Sequence, residues 1–280
     1  VIQRLAIVGV GLLGGSIALA ARAHGVAREI VGIGRDRARL DAPLRAGAVD
    51  RVTTDLAAGV GDADFIVLAA TVLANEELLA HVWRAVAAPA VITDVGSTKR
   101  GIVSVAERLS GPAAFVGSHP MAGSEKSGYA VARADLLRNA TVIVTPTESS
   151  EPHAVKGVTA FWEALGARVS ALDPESHDRV VAAISHLPHV AAWALVDAVA
   201  RFEPGALSFA ARGFKDTTRI AAADPAMWTE ILLENREPLV ASLAAFRGAL
   251  GELERLIASG DGAGIAALLA RLKAQRETLA

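Results

Sequence analysis

An apolar run, Leu5-Ala6-Ile7-Val8, leads directly into Gly9-Val10-Gly11-Leu12-Leu13-Gly14, and Gly15-Ser16-Ile17-Ala18-Leu19-Ala20-Ala21 follows. That order reads as strand, glycine turn, helix. Gly9 lets the chain turn tightly, Gly11 lets backbone approach a pyrophosphate, and Gly14 lets the helix pack close to the strand. The helix N-terminus adds amide N–H groups and the positive end of a dipole. A lone glycine fingerprint says little, but one placed between a strand and a helix marks a dinucleotide site. Gly9, Gly11, Leu12, Leu13 and Gly14 are therefore the expected cofactor-binding residues.

At 280 residues, with 52% hydrophobic content, the chain has ample material for one large or two modest cores. A net charge of −2 gives no electrostatic footprint for nucleic acid or an acidic membrane surface. The absence of cysteine excludes disulfides and thiolate chemistry. The first strand begins too early to leave room for a signal peptide, and no apolar run reaches the roughly 20 residues that span a bilayer. The expectation is a cytoplasmic protein with neither nucleic acid nor membrane as partner.

The chain has two grammars. Through about residue 171, short β-rich runs alternate with helical stretches. Candidate strands are 5–8, 29–33, 64–69, 90–93, 113–117, 141–145 and 167–171; candidate helices are 12–24, 37–46, 75–86, 99–109 and 152–165. Strands rich in Ile, Val and Leu without alternation suit a parallel sheet covered on both faces. The βαβ alternation predicts a doubly wound α/β domain. After Leu172-Asp173-Pro174 no strand is evident, and helices are expected over 175–202, 204–214, 227–254 and 264–279. Pro188 and Pro238 are expected to kink or interrupt their helices, and Gly260 with Asp261 to mark a stop and a start. The expected domains are 1–172 and 173–280. The Ala- and Leu-rich helical half would build a dimer interface, or merely cap the first domain.

In NAD-type folds an acid about 20 residues past the glycines bonds the ribose hydroxyls. Here that position is Gly34, followed by Arg35, Asp36, Arg37 and Arg39. Gly34 makes room and Arg35 supplies charge for a 2′-phosphate, which favours NADP over NAD. Asp36 sits late and reads as a helix cap. The alternative is that Asp36 binds ribose and Arg35 is solvated surface.

Further polar segments fall where such a sheet builds its site. They are Thr93-Asp94-Val95-Gly96-Ser97-Thr98-Lys99, Gly117-Ser118-His119-Pro120-Met121-Ala122-Gly123-Ser124-Glu125-Lys126-Ser127-Gly128, and Ser185-His186-Leu187-Pro188-His189. Downstream lie Gly213-Phe214-Lys215-Asp216-Thr217-Thr218-Arg219-Ile220 and Asp224-Pro225-Ala226-Met227-Trp228. In this order and across nearly the whole chain, these motifs resemble the prephenate/arogenate (cyclohexadienyl) dehydrogenase family of tyrosine biosynthesis. The resemblance implies an N-terminal Rossmann-like dinucleotide-binding domain followed by an all-helical dimerisation domain. It also implies oxidative decarboxylation of a cyclohexadienyl substrate, with hydride passing to NAD(P).

By that resemblance His119 is the catalytic histidine. A neutral imidazole, with an unperturbed pKa of about 6.5, can take the proton of the substrate hydroxyl as a carbonyl forms. Ser97 matches a serine that orients it, although a serine there could equally cap the following helix. Arg219 matches an arginine that holds a substrate carboxylate, and a guanidinium fork suits that task. His189 matches a substrate-side histidine. Glu125 matches a glutamate near the substrate side chain, or else is a solvated acid at a helix start. Trp228 matches a tryptophan that the neighbouring subunit can contribute, or else is a core aromatic. His186 and His189 could also be read as a metal pair, but no third ligand follows in a recognisable pattern, so no metal is expected.

Two other classes compete. One is a two-domain reductase of the β-hydroxyacid or imine type, which usually depends on a lysine or aspartate on the interdomain helix; no lysine lies between Leu172 and Phe214. The other is a dinucleotide-binding redox sensor, which would need no His119, Ser97 and Arg219 together. No regulatory tail is expected after Ala280, and on that expectation inhibition by tyrosine would have to act by competition at the active site.

Overall fold

The computed structural model describes residues 1–124 and 126–279, and the chain forms two compact units, Val1–Asn235 and Arg236–Ala280. The first begins with β1 (Ile2–Val8), α1 (Leu12–Ala23), β2 (Ala27–Ile33), α2 (Arg37–Arg45), β3 (Arg51–Thr53) and α3 (Leu56–Val60). There follow β4 (Phe65–Leu68), α4 (Val72–Ala85), β5 (Val91–Asp94), α5 (Arg100–Ala106) and β6 (Ala114–Phe115). The six strands make one parallel sheet in the order β3-β2-β1-β4-β5-β6. This is the doubly wound arrangement, with its topological switch between β1 and β4, where such sheets bind ligands.

Both faces of the sheet are covered, and this explains the unbroken apolar runs. In β1, Leu5 and Ile7 pack with Ile17, Ile30 and Val67 on one face, while Ala6 and Val8 pack with Val31, Ile66 and Leu79 on the other. Burial of such side chains supplies about 1.5–3 kcal/mol each. The short pieces β3 and α3 escaped the sequence reading because three residues of strand carry too little periodicity to register.

One expectation fails in an informative way. The run 113–117 was expected to be one strand of a single parallel sheet. Instead β6 ends at Phe115, and β7 (Gly117–Pro120) begins a second, three-stranded sheet with β8 (Thr141–Thr145) and β9 (Arg168–Ala171), in the order β7-β8-β9. β7 pairs with β8 antiparallel, setting His119 opposite Ile143, and β8 pairs with β9 in parallel. Val116 is the joint, its N–H donating to the Ile92 carbonyl at 3.0 Å. Helix α6 (Pro152–Ala164) buries Phe161 and Trp162 in the same core.

Beyond Leu172 the described residues are helical. The run Pro174–Phe202 comprises α7 (Pro174–Val181), a π turn over Ala182–His186, and α8 (Leu187–Phe202). Asp173 caps it, accepting from the Ser176 N–H at 2.8 Å. Pro188 does not interrupt the run, because the wider π turn just before it absorbs the missing N–H. By length and composition alone this helix is long and apolar enough to cross a bilayer. Its buried His177, Asp178 and His186 tie it into the unit instead.

Helices α9 (Arg212–Thr218) and α10 (Pro225–Glu234) complete the first unit. Asp224 caps α10 by accepting from Met227 N–H at 3.0 Å. The second unit contains α11 (Arg236–Ala258) and α12 (Gly262–Glu277). The helix expected over 227–254 is thus broken at Asn235, and Pro238 lies in the first turn of α11, where a missing N–H is tolerated. Asp261 starts α12, accepting from Gly264 N–H at 2.9 Å, after Gly260 at φ +67°.

Candidate functional site

The glycine turn lies at the carboxyl end of β1, against β4. Gly9 has φ +99°, and a Cβ there would approach the Ala69 carbonyl oxygen to 2.6 Å. A Cβ on Gly14 would strike the Gly9 carbonyl oxygen, so α1 sits as close to the turn as backbone allows. A Cβ on Gly11 would meet nothing within 4 Å. Gly11 is also the N-cap of α1 and offers no side-chain cap, which leaves the amides of the first turn, including Leu12 and Leu13, facing that open space. These features fit a pyrophosphate.

At the end of β2, Gly34 is half-buried and donates its N–H to the Thr53 carbonyl at 3.2 Å. Asp36 caps α2 as expected, accepting from Ala38 N–H at 2.9 Å and pairing with Arg39 at 3.5 Å. Arg35 is exposed and has no ion-pair or hydrogen-bond partner among the described residues.

His119 is 7% exposed on β7, and its Nδ1 lies 2.9 Å from His177 Nε2. His177 Nδ1 in turn lies 2.7 Å from Asp178 Oδ1. Both residues come from the first two turns of α7 and are fully or almost fully buried. Asp178 is further fixed by the backbone N–H groups of Lys99, at 2.8 Å to Oδ1, and Arg100, at 3.0 Å to Oδ2. It therefore caps α5, and Ser97 does not. Nor does Ser97 hydrogen-bond to His119 among the described residues, because His177 occupies Nδ1. His119 Nε2 has no protein partner there and is not sealed from solvent. Burial pushes the His119 pKa well below the ordinary 6.5, helped by the neighbouring His177, Lys99 and His186. Burial also lowers His177, against the opposing pull of Asp178.

A second network fixes the strand beneath His119. The fully buried Lys99 ammonium pairs with Asp94 and donates to the Ser118 carbonyl at 2.9 Å. The Ser118 N–H donates to Asp94 Oδ1 at 3.1 Å, and its hydroxyl donates to the Asp94 carbonyl at 2.5 Å. Trp162 Nε1–H donates to the Ser118 hydroxyl at 3.1 Å. Ser118 therefore faces the core while His119, next along the strand, faces the other way.

His189 donates from Nδ1 to the Ser185 carbonyl at 2.9 Å, leaving Nε2 as an acceptor. Its ring stacks on Trp228 with centroids 3.8 Å apart and 30° between planes. Trp228 is 6% exposed and packs with Val72, Ile231 and Trp193 of the same chain. Burial lowers the His189 pKa against the opposing pull of its bond to the Ser185 carbonyl, and the charge of the exposed Arg219 lowers it further. His186 is buried beside them, 5.8 Å ring to ring from Trp228, and accepts at Nδ1 from Asn235 Nδ2 at 3.0 Å. Burial lowers its pKa to about 4. Glu125 lies outside the described residues.

His177, Asp178, Lys99 and Asn235 escaped the sequence reading as site residues. The one signal was an adjacent His-Asp pair in the first turns after the domain junction.

A prephenate dehydrogenase of Bacillus subtilis is 39% identical over 239 residues, which are 83% of this chain and 64% of that protein. The chain thus spans less than two thirds of that relative's length. A cyclohexadienyl dehydrogenase of Zymomonas mobilis is 34% identical over 274 residues, covering 94% of this chain and 91% of that one. A crystal structure of A. aeolicus prephenate dehydrogenase, in complex with hydroxyphenyl propionate and NAD+, matches with a TM-score of 0.93 at 33% identity. It covers 99% of this chain and 98% of that one. The family model of the prephenate dehydrogenase nucleotide-binding domain matches residues 17–171, and that of the dimerization domain matches residues 173–271. The chain belongs to the prephenate dehydrogenase family.

Proposed function

We propose that this chain catalyses oxidative decarboxylation of prephenate or arogenate, giving 4-hydroxyphenylpyruvate or tyrosine, as a cytoplasmic homodimer that prefers NADP to NAD. The observation that carries the reading is a buried His119 whose Nδ1 meets His177 and whose Nε2 has no protein partner among the described residues. When bound, the dinucleotide supplies the hydride acceptor, and loss of carbon dioxide then aromatises the substrate ring.

His119 Nε2 accepts the proton of the substrate hydroxyl, and its lowered pKa keeps that nitrogen unprotonated near neutral pH. Ser97, half-buried after β5, faces the reacting hydroxyl together with His119. Arg219 binds a substrate carboxylate through its guanidinium, and His189 presents Nε2 as acceptor on the substrate side, held flat by Trp228. Glu125 contributes at the substrate side chain, where the two candidate substrates differ. Gly9, Gly11, Leu12, Leu13 and Gly14 cradle the pyrophosphate, and Gly34 with Arg35 receives the 2′-phosphate.

The functional division is 1–172 for the dinucleotide and 173–280 for substrate and dimerisation. Exposed apolar side chains support pairing with a second copy. In the first unit Phe202 and Phe209 are 89% and 88% exposed, and in the second Val240 and Ile257 are 58% and 66% exposed.

The test is turnover of prephenate and of arogenate, each with NAD and with NADP, followed by absorbance of the reduced nicotinamide. One productive pair fixes substrate and cofactor together. Absence of turnover with all pairs overturns the reading. His119→Asn is expected to retain dinucleotide binding and lose about 10²–10⁴-fold in turnover.

A further inference from the structure

The chain of contacts from Asp178 through His177 to His119 has a direction. A carboxylate accepts hydrogen bonds and does not donate them. At 2.7 Å, His177 Nδ1 must carry its proton toward Asp178 Oδ1, since a bare nitrogen there would set two lone pairs against each other. The carboxylate cannot turn away, because Lys99 and Arg100 N–H groups hold its two oxygens at 2.8 and 3.0 Å. With Nδ1 protonated, neutral His177 has a bare Nε2. His119 Nδ1, 2.9 Å away, must then donate to it. With that proton on Nδ1, neutral His119 has a bare Nε2, the one nitrogen of these two rings without a protein partner among the described residues.

We propose that His177 and Asp178 are positioning residues that fix the tautomer of His119, holding its proton on Nδ1 so that Nε2 is always the proton acceptor. A neutral histidine in water favours the opposite tautomer, with the proton on Nε2, and which nitrogen carries it in a protein is set by the bond the other makes. Two rings in series transmit the preference of one carboxylate over the distance from α7 to β7. The same order serves the protonated state. When a hydroxyl proton arrives at Nε2, its O–H electron pair stays on oxygen, Nδ1–H stays in place, and His119 becomes a cation. Its Nδ1–H bond to His177 then strengthens, and the Asp178 charge lies at the far end of the chain. Lys99, Asp94 and His186 also face this chain. Among the described residues none of the three hydrogen-bonds to either ring.

The catalytic half of this inference rests on the function proposed above; the tautomer itself does not. The deciding measurement is therefore 15N chemical shifts of the histidine ring nitrogens in the labelled full chain, without substrate. In the wild type, His119 Nδ1 is expected at the shift of a protonated ring nitrogen and Nε2 at that of a bare one. His177→Leu removes the acceptor and is expected to give a mixed or inverted pattern at His119. With whichever substrate the wild type turns over, kcat is expected to fall about 10–100-fold at nearly unchanged KM, less than the full worth of a general base. His177→Gln restores an acceptor at the position of Nε2, and it is expected to recover the Nδ1–H pattern and most of kcat. It also keeps the comparison open if the leucine variant unfolds.

A wild type with its proton on Nε2 would overturn the proposal, as would a leucine variant with unchanged ring shifts. A glutamine variant as impaired as leucine would do the same, because packing alone would then account for the loss. Absence of turnover in the wild type leaves the ring shifts to decide, so failure of the catalytic reading is seen separately.

Discussion

Asp178 caps the helix that begins beside Lys99, accepting the Lys99 N–H at 2.8 Å across 79 residues of chain. The Lys99 side chain reaches the opposite way, to Asp94 and to the Ser118 carbonyl. One residue thus joins the parallel sheet, the small mixed sheet and α7. Burial draws its ammonium pKa down, with Asp94 opposing.

Removing the cap should destabilise the protein. Asp178→Ala strands the amides of Lys99 and Arg100 and the Nδ1–H of His177, and each unpaired buried donor costs about 1–3 kcal/mol. A total loss of about 3–5 kcal/mol is expected in urea unfolding. Asp178→Asn should lose less, because an amide oxygen can retain one acceptor role. Equal stability of the alanine variant and wild type would contradict the cap.

Two glycines of the turn should respond in opposite ways to alanine. Gly11→Ala meets open space in the protein, so its Tm is expected to stay put while dinucleotide Kd rises about tenfold or more, worth about 1.4 kcal/mol. Gly14→Ala strikes the Gly9 carbonyl and is expected to cost about 1–3 kcal/mol of stability. Calorimetry for both heat stability and binding separates the cases. A destabilised Gly11 variant with intact binding would refute the assignment.

Stability should fall on mild acidification. His119, His177, His186 and His189 all have folded pKa values below 6.5, so the unfolded chain binds more protons as pH drops through that value. Tm is expected to decline from about pH 6.5 toward pH 4, where His186 titrates. Glu76 works the other way. Burial, then Glu234, raises its pKa from 4.5 to about 7, so its ionisation removes stability as pH rises through 7. Glu76→Gln is expected to raise Tm relative to wild type at pH 8 and to lose that advantage near pH 4.5. A pH-independent difference between the two proteins would count against this.

Arg35 offers the test of cofactor choice. Arg35→Ala is expected to weaken NADP binding about tenfold, by about 1.4 kcal/mol, while leaving NAD within about twofold. Titration of each dinucleotide against the full chain measures both. Equal losses for the two, or none, would remove Arg35 from the discrimination.

The sequence was most readable where one short stretch carries the whole signal. The Val8-to-Ser16 turn and the Asp36 and Asp261 caps depend on neighbours within a few residues, and each stands as expected. The junction at Val116 was not readable, since Ala113–Gly117 is uniformly apolar and nothing local says that two sheets share it. His177 was not readable either, because its partner His119 lies 58 residues away in sequence and only the fold brings the two rings together. Ser97 shows the same limit from the other side: a serine at a helix start suggests a cap, but an aspartate on another helix holds that place.

Gly34 and Arg35, the residues proposed to meet the ribose end, follow β2, whereas His119 stands on β7 in a different sheet. No strand is common to the two, and among the described residues no hydrogen bond of either network reaches Arg35. Such a layout makes currency and chemistry separately heritable. On the proposed assignment, a lineage switches between pools of reducing equivalents by altering one exposed loop, with His119 and its supports left untouched.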